Sequence, residues 1–286
     1  MSEPRKFDFD VIDAQAHLGC FPGHVGYQIS AEDLVRCLDA EGVRFALTSS
    51  ASSTTISPTY GTREMLDAAE RYPDRLATLV WINPRDPSWL REAEDAADRG
   101  AVGIKLHPKL DNYRVDIDSL RGVFDFARRR QLPICTHAET GDWSAELYTP
   151  LVEKFDDVDL VLYHFNAGRP IAGILMAKHY PRVYVDTCFV PREAIEIGLD
   201  VIGPSKILFG TDAPLFFDVG RPLPAFNDHQ RNFHDCTRDI EELATSPADR
   251  DLVLAENARR IFRIRVRSRQ IRVSGCSGAA MQQRSS

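Results

Sequence analysis

Eight short apolar runs, each separated from the next by an amphipathic stretch, constrain this chain more than any other feature. The runs cover residues 9–17, 44–49, 76–83, 102–107, 133–137, 160–164, 183–188 and 206–210. Several are apolar throughout, such as Leu160-Val-Leu-Tyr163 and Ile207-Leu-Phe209. Strands covered on both faces have this character, as in a parallel sheet packed under helices. Helical patterns follow at 34–41, 62–71, 87–99, 119–130, 143–155, 170–179, 192–202, 235–245 and 248–262. Ser30-Ala-Glu-Asp33 reads as a capping box opening the first helix, and Gly42 as its stop. Pro87 suits a first helical turn, where its missing N–H costs nothing. Eight alternations in one chain of this length predict an α/β fold, a (β/α)8 TIM barrel in a single domain. A doubly wound open sheet is the rival, and no GxGxxG follows the first strand to support its dinucleotide-binding form. No linker interrupts residues 8–262.

The division expected is a barrel over residues 1–264 and a tail over 265–286. The tail alternates Arg with apolar residues and then becomes rich in Ser, Gly, Ala and Gln. It reads as a frayed end or as an edge strand for a partner subunit; a homo-oligomer is one expectation. From Arg263 onward there are six Arg and no acid, so residues 1–262 hold 29 basic against 42 acidic residues, a net −13. An acidic body argues against nucleic acid as a partner, because phosphate binding needs a basic face. No apolar run reaches the ~18 residues of a membrane span, and the N-terminus lacks the apolar core of a signal peptide. The six Cys are widely spaced, with no CxxC pair. Reduced thiols in a cytoplasmic protein are therefore expected.

The polar residues fall where the apolar runs stop. Asp13-Ala-Gln-Ala-His17, Lys105-Leu-His107, Thr136-His137-Ala-Glu139, His164-Phe-Asn166 and Gly210-Thr-Asp212 each end a run. A barrel builds its active site at the C-terminal ends of its strands. Four imidazoles and a carboxylate from different strands would then meet at one mouth. Packing accounts for one such histidine more easily than for four. Gln15 and His17 are two apart and share a strand face. The last strand of a barrel closes on the first, which brings Asp212 beside His17. Imidazole and carboxylate form the ligand set of zinc and related ions. Ser49–Ser53 lacks the GxSxG elbow of a serine hydrolase. Trp143, Phe189, Phe216 and Phe217 follow strand ends and could line a pocket for a small aromatic or cyclic substrate.

These residues resemble the amidohydrolase superfamily. The closest likeness is to its second large family, the aminocarboxymuconate-semialdehyde decarboxylase-like metal-dependent hydrolases. The likeness rests on Ile12-Asp-Ala-Gln-Ala-His-Leu-Gly19, Gly103-Ile-Lys-Leu-His-Pro108, His137, Tyr163-His164, Leu208-Phe-Gly-Thr-Asp-Ala-Pro214 and Glu256-Asn-Ala-Arg-Arg-Ile-Phe262. It implies a (β/α)8 barrel with one divalent metal, zinc being the expectation. By resemblance His17, His137 and Asp212 stand at ligand positions. His164 stands where the family has a further catalytic imidazole or an added ligand. The family's first-strand motif is His-x-His, and here its first position is Gln15. Three readings follow: Gln15 binds the metal through its oxygen or a water, the site works without metal, or the chain is a binding-only member. Lys105 resembles the lysine that bridges two metals in other branches. The alternative is a lysine paired with a carboxylate or holding a substrate anion, with His107 beside it and Trp143 nearby. The expected chemistry is metal-assisted hydrolysis of a C–N, ester or lactone bond, with Asp212 as base and His164 assisting. The same parts would serve a non-oxidative decarboxylase.

Overall fold

The computed structural model describes residues 7–21, 28–213 and 233–266. Each of the eight apolar runs forms a strand. The strands are β1 (Ile12–Cys20), β2 (Gln28–Ile29), β3 (Phe45–Ser50), β4 (Leu76–Trp81), β5 (Gly103–Leu106), β6 (Ile134–Glu139), β7 (Leu160–Ala167), β8 (Val183–Asp186) and β9 (Ile207–Leu208). β2 is an added two-residue strand, antiparallel to the end of β1. The other eight run parallel in the order β1-β3-β4-β5-β6-β7-β8-β9. The ring closes where the chain after β9 meets β1: Ala14 N donates to Phe209 O (2.8 Å), Asp212 N to Gln15 O (2.8 Å) and His17 N to Ala213 O (2.6 Å). The fold is a single-domain TIM barrel of the α/β class.

Two apolar cores follow from the strand pleat. Ile12, Ala14, Phe45, Leu47, Ala77, Leu79, Cys135, Val161, Tyr163, Tyr184 and Leu208 fill the barrel interior, and Ala255, Ala258, Ile261 and Phe262 pack with them. Ala16, Leu18, Ala46, Leu162, Phe165, Phe209 and Ala213 belong to the larger core shared with the helices. Two strands change phase on the way to their ends. In β1 the pairing register shifts between Asp13 and Ala16. Ile12 and Ala14 face the interior, yet Ala16 and Leu18 face the helices, so Gln15 and His17 take the inner face. Strict alternation would have pointed both outward. In β7, His164, Phe165 and Asn166 all have positive φ (63°, 52° and 69°). Phe165 thereby faces the helices, and His164 follows Tyr163 into the mouth.

The helices confirm most of the periodic pattern. Ala31–Glu41 has both hydrogen bonds of the Ser30/Asp33 capping box, and Gly42 ends it at φ 76°. Three expectations are corrected. The fourth helix is Trp89–Asp98, and Pro87 lies in the turn before it rather than in its first turn. The stretch 143–155 is two 3-10 turns and a short helix, Thr149–Lys154, because Pro150 cannot donate inside a continuous helix and instead sits at its start. The last stretch runs as Pro247–Asp251, a π turn at Leu252–Glu256, and Asn257–Phe262. The tail expected from 265 lies outside the described residues beyond Val266, and Ile264 and Val266 still pack on the interior core. The Cys residues described form no disulfide. Among the described residues no helix is long and apolar enough to cross a membrane.

The C-terminal helix also holds the strand that leads to Asp212. Buried Asn257 donates from Nδ2 to Pro204 O (2.7 Å) and Ile207 O (2.8 Å), and Phe209 N donates to Val253 O (2.9 Å). Asn257→Ala strips the buried Ile207 carbonyl and the part-buried Pro204 carbonyl of this donor, at about 1–3 kcal/mol for the buried group left unsatisfied. A urea titration is expected to show a lower midpoint with an unchanged slope. A midpoint equal to wild type would mean that water or a neighbour replaces the amide.

Candidate active site

The phase changes and the ring closure gather the polar residues at one mouth. His17 Nε2 lies 2.8 Å from Asp212 Oδ1, with both side chains about 10–13% exposed. The far nitrogen of His17, Nδ1, lies 3.0 Å from Ser49 Oγ and 3.2 Å from Ser49 O, on the adjacent strand. Gln15 Nε2 donates to the same Asp212 Oδ1 at 3.1 Å and sits 3.5 Å from His164 Nε2. One carboxylate oxygen is thus held between an imidazole and an amide. Asp212 itself has φ 59°. Beneath this group, Thr211 N and Oγ1 donate to Asp13 Oδ1 (3.1 Å) and Oδ2 (2.5 Å), and Gln15 N donates to Asp13 Oδ1 (3.0 Å). Asp13 therefore ties the irregular part of β1 to the strand that carries Asp212. Burial pushes its carboxyl up to about 7 against those hydrogen bonds.

The histidines form a contiguous row. The rings of His107 and His137 stack at 4.1 Å, and Trp81 stacks on the other side of His107 at 5.8 Å. His164 meets His137 edge-on at 4.7 Å, and Phe189 approaches His164 at 5.6 Å. His137 Nε2 is 2.9 Å from Glu139 Oε2, and Lys109 Nζ is 2.7 Å from Glu139 Oε1. Lys109 Nζ also lies 5.7 Å from the Trp143 ring, which puts Trp143 beside the row rather than in it. Lys105 is buried, its ammonium over the rings of Tyr163 (4.3 Å) and Trp81 (5.6 Å). Among the described residues no carboxylate comes within ion-pair reach of it. Phe216 and Phe217 lie outside the described residues.

Burial and charge sort these groups. Burial would raise Asp212, but the His17 hydrogen bond and the neighbouring basic side chains outweigh it and hold the carboxyl well below its usual range. Burial pushes His164 down to about 3, and it lowers His107, His137 and Lys105 as well. The His137 hydrogen bond, with Lys109 behind it, brings Glu139 down to about 2 although burial opposes. His164 Nδ1 is 3.2 Å from Cys188 O, so in the neutral ring Nδ1 donates there and the Nε2 lone pair faces the mouth.

Whether a metal ion fits depends on the amide. Among the described residues no three His, Cys, Asp or Glu side chains gather as ligands of one ion. Among these residues the count reaches three with Gln15, whose Oε1 is buried and has no described hydrogen-bond partner. A buried acceptor without a partner is uncommon, and an ion supplies one. His17 Nε2, Asp212 Oδ1 and the Gln15 amide, 2.8–3.1 Å from one another along the Asp212 oxygen, are spaced as neighbouring ligands of an ion at ~2.0–2.2 Å would be. The donor set therefore fits an ion through the amide oxygen, reached by turning the Gln15 carboxamide over. Sequence reasoning missed Trp81, Lys109, Ser49, Glu139 as a partner of His137, and Asp186, whose Oδ1 accepts from His164 N at 2.6 Å. The signal for Glu139 was present, two residues from His137 on the same strand; Asp186, inside the 183–188 run, left none.

The amidohydrolase family model matches residues 13–264. The chain belongs to the amidohydrolase family. The match reaches from β1 to the C-terminal helix, and the chain is an enzyme of that family. Similar solved structures include the 5-carboxyvanillate decarboxylase LigW of Sphingomonas paucimobilis, at 15% identity and TM-score 0.68, covering 90% of this chain and 100% of that one. The 5-carboxyvanillate decarboxylase of Novosphingobium aromaticivorans, complexed with manganese and a nitrobenzoic acid, is 14% identical at TM-score 0.69, covering 90% of this chain and 97% of that one. A protein described as a probable 2-pyrone-4,6-dicarboxylic acid hydrolase of Acinetobacter baumannii, with citric acid bound, is 13% identical at TM-score 0.64, covering 90% and 100%. At these identities the likeness is one of fold. No protein of curated function matches the sequence.

The His164 environment is open to direct test. Burial disfavours the charged imidazole, so a folded value near 3 against ~6.5 unfolded means that only the unfolded chain takes up this proton between those limits. The stability owed to a neutral His164 is complete above ~6.5 and is lost as pH falls from there toward 3. In histidine-labelled, metal-free protein, the His164 imidazole nitrogens are expected to show a single neutral tautomer from pH 8 to below 5. A midpoint near 6.5 would contradict the burial described.

Proposed function

We propose that this amidohydrolase is a hydrolase acting on a C–N, ester or lactone bond of a small planar substrate, with one divalent ion, zinc, at its site. The observation that carries the reading is Asp212, held ionised at the mouth by His17 and the Gln15 amide. An ionised carboxylate is a proton acceptor, which is what attack by water on a carbonyl needs. His17, Asp212 and the Gln15 oxygen would hold the ion, with His137 beside them at the family's ligand position. When bound, such an ion lowers the pKa of a coordinated water toward ~7 and polarises a substrate oxygen. The protein's own groups do the rest. Asp212 takes a proton from water as the oxygen–carbon bond forms, and returns it to the leaving group as the scissile bond breaks. Ser49 and Asp212 fix the orientation of His17 from its two sides. Neutral His164, with its Nε2 lone pair turned to the Gln15 amide and the mouth, acts as a proton relay rather than a cationic oxyanion partner. The row of Trp81, His107 and His137 suits a flat ring, with Lys105 and Lys109 near enough to draw an anionic substituent. Manganese in the Novosphingobium relative supports a divalent ion in this fold.

A second reading, non-oxidative decarboxylation, is favoured by the buried Lys105 ammonium, which suits a substrate carboxylate, and by the shared fold with 5-carboxyvanillate decarboxylases. That chemistry needs a proton delivered to carbon, and an Asp212 ionised at rest carries none until it has taken one from water. Product analysis on small aromatic and cyclic esters, lactones and acids separates the two: acid release without CO2 supports hydrolysis, and CO2 release supports the alternative. Asp212→Asn keeps the shape and removes the base. Turnover is expected to fall by ~10²–10⁴-fold with a thermal midpoint close to wild type. Activity within a few-fold of wild type would remove Asp212 from the mechanism.

For the ion, Gln15→His replaces a neutral amide by an imidazole on the same face. Calorimetric titration of the chelator-treated protein with zinc is expected to show tighter binding for the variant. Equal affinity would mean that position 15 does not reach the ion.

A further inference from the structure

The three consecutive positive-φ residues in β7 have a cost that something must offset. A left-handed conformation costs roughly 1–2 kcal/mol per non-glycine residue, and His164, Phe165 and Asn166 all adopt it. Asn166 is secured: its Oδ1 accepts from Ala145 N (2.7 Å), and its Nδ2 donates to Arg169 O (3.3 Å). Gly173 lets Phe165 lie close, since a Cβ there would come 2.4 Å from Phe165 O. At the head of the run, His164 N donates to Asp186 Oδ1 at 2.6 Å. Asp186 ends β8, is fully buried, and its Oδ2 has no hydrogen-bond partner among the described residues. Space for that carboxyl comes from Gly210, where a Cβ would lie 2.4 Å from Asp186 Oδ2. The glycine of the Phe209-Gly-Thr-Asp212 string is therefore a clearance for Asp186, two residues before Asp212.

We propose that Asp186 is the positioning residue for His164: its carboxyl oxygen fixes the first left-handed peptide of β7 and so aims the imidazole, through Cys188 O on one nitrogen, at Asp212 and Gln15 with the other. The role is that of an acceptor at a fixed place and needs no charge. Asp186 touches no reacting atom, so it acts only through His164. Its functional weight rests on the reading of His164 as part of the reacting site, but its geometric content does not.

The test is made first without any substrate. In wild-type protein the His164 amide is expected to resonate far downfield and to exchange with solvent at least ~10²-fold more slowly than an open strand-end amide. An ordinary, rapidly exchanging amide would overturn the proposal. In Asp186→Ala, the His164 imidazole nitrogens are expected to lose the single-tautomer pattern and the amide to lose its protection. Asp186→Asn, which keeps an acceptor oxygen, is expected to restore both. Gly210→Ala, which crowds the carboxyl, is expected to act as Asp186→Ala does. Unchanged His164 spectra in Asp186→Ala would overturn the proposal, as would Asn behaving like Ala, which would show charge to be the requirement. If the Ala variant does not fold, the wild-type amide and the Asn variant decide. Once a substrate is turned over, Asp186→Ala is expected to lower kcat by about 10²-fold, the scale of a ~1 Å misplacement, with KM nearly unchanged and kcat rescued by Asn. Absence of hydrolysis would bear on the function assigned to the site and leave the His164 spectra to judge Asp186.

Discussion

The closing seam of the barrel governs the rest of the site. Hydrogen bonds between Asp212 N and Gln15 O, and between His17 N and Ala213 O, join the last strand's extension to the first. Each of these residues also supplies a side chain to the mouth or flanks one that does. The same few peptide groups therefore complete the ring and set the distance between the carboxylate and its two donors. Asp13 reinforces the seam from below through Thr211, and Asn257 fixes the start of the last strand. A change that loosens this seam is felt as lost stability and as a misplaced Asp212 together.

Charge is rationed within the mouth. Asp212 is the anion, and the imidazoles of His107, His137 and His164 are driven toward neutrality by burial. Neutral rings can stack as closely as His107 and His137 do without the repulsion that two imidazolium ions would suffer in a poorly solvated place. They also leave lone pairs available for an ion or a proton. Lys105 lays its Nζ over the faces of Tyr163 and Trp81, whose ring quadrupoles offset part of the burial that lowers its pKa. Glu139 and Lys109 form a more exposed pair behind His137, so that ring is oriented from outside the mouth.

Much of this was legible in the residues. Apolar runs of strand length separated by capped amphipathic stretches led to the barrel, and the ring order of a barrel led to Asp212 beside His17. What alternation could not convey was the phase of the strand ends. The β1 irregularity and the left-handed run in β7 each turn one more residue inward than a regular pleat allows, and neither leaves a hydrophobic signature. Pro150 was a visible warning against a helix through 143–155, whereas the π turn at Leu252–Glu256 breaks a 3.6-residue period without changing composition. Asp186 was hidden for a different reason. Its partner is a backbone N–H, and a side chain that serves the main chain belongs to no constellation of reactive residues.

In the proposed mechanism Asp212 works as a base already ionised by its surroundings. The pH dependence of kcat/KM for the hydrolytic reaction tests it most directly, because that profile reports the free enzyme's essential groups. The proposed mechanism predicts that any acidic limb lies near the ~7 of an ion-held water, with none in the usual carboxylate range of about 4. A rate that climbs as pH falls through 5 toward 4 would show that the protonated carboxyl is the active form, and would contradict it.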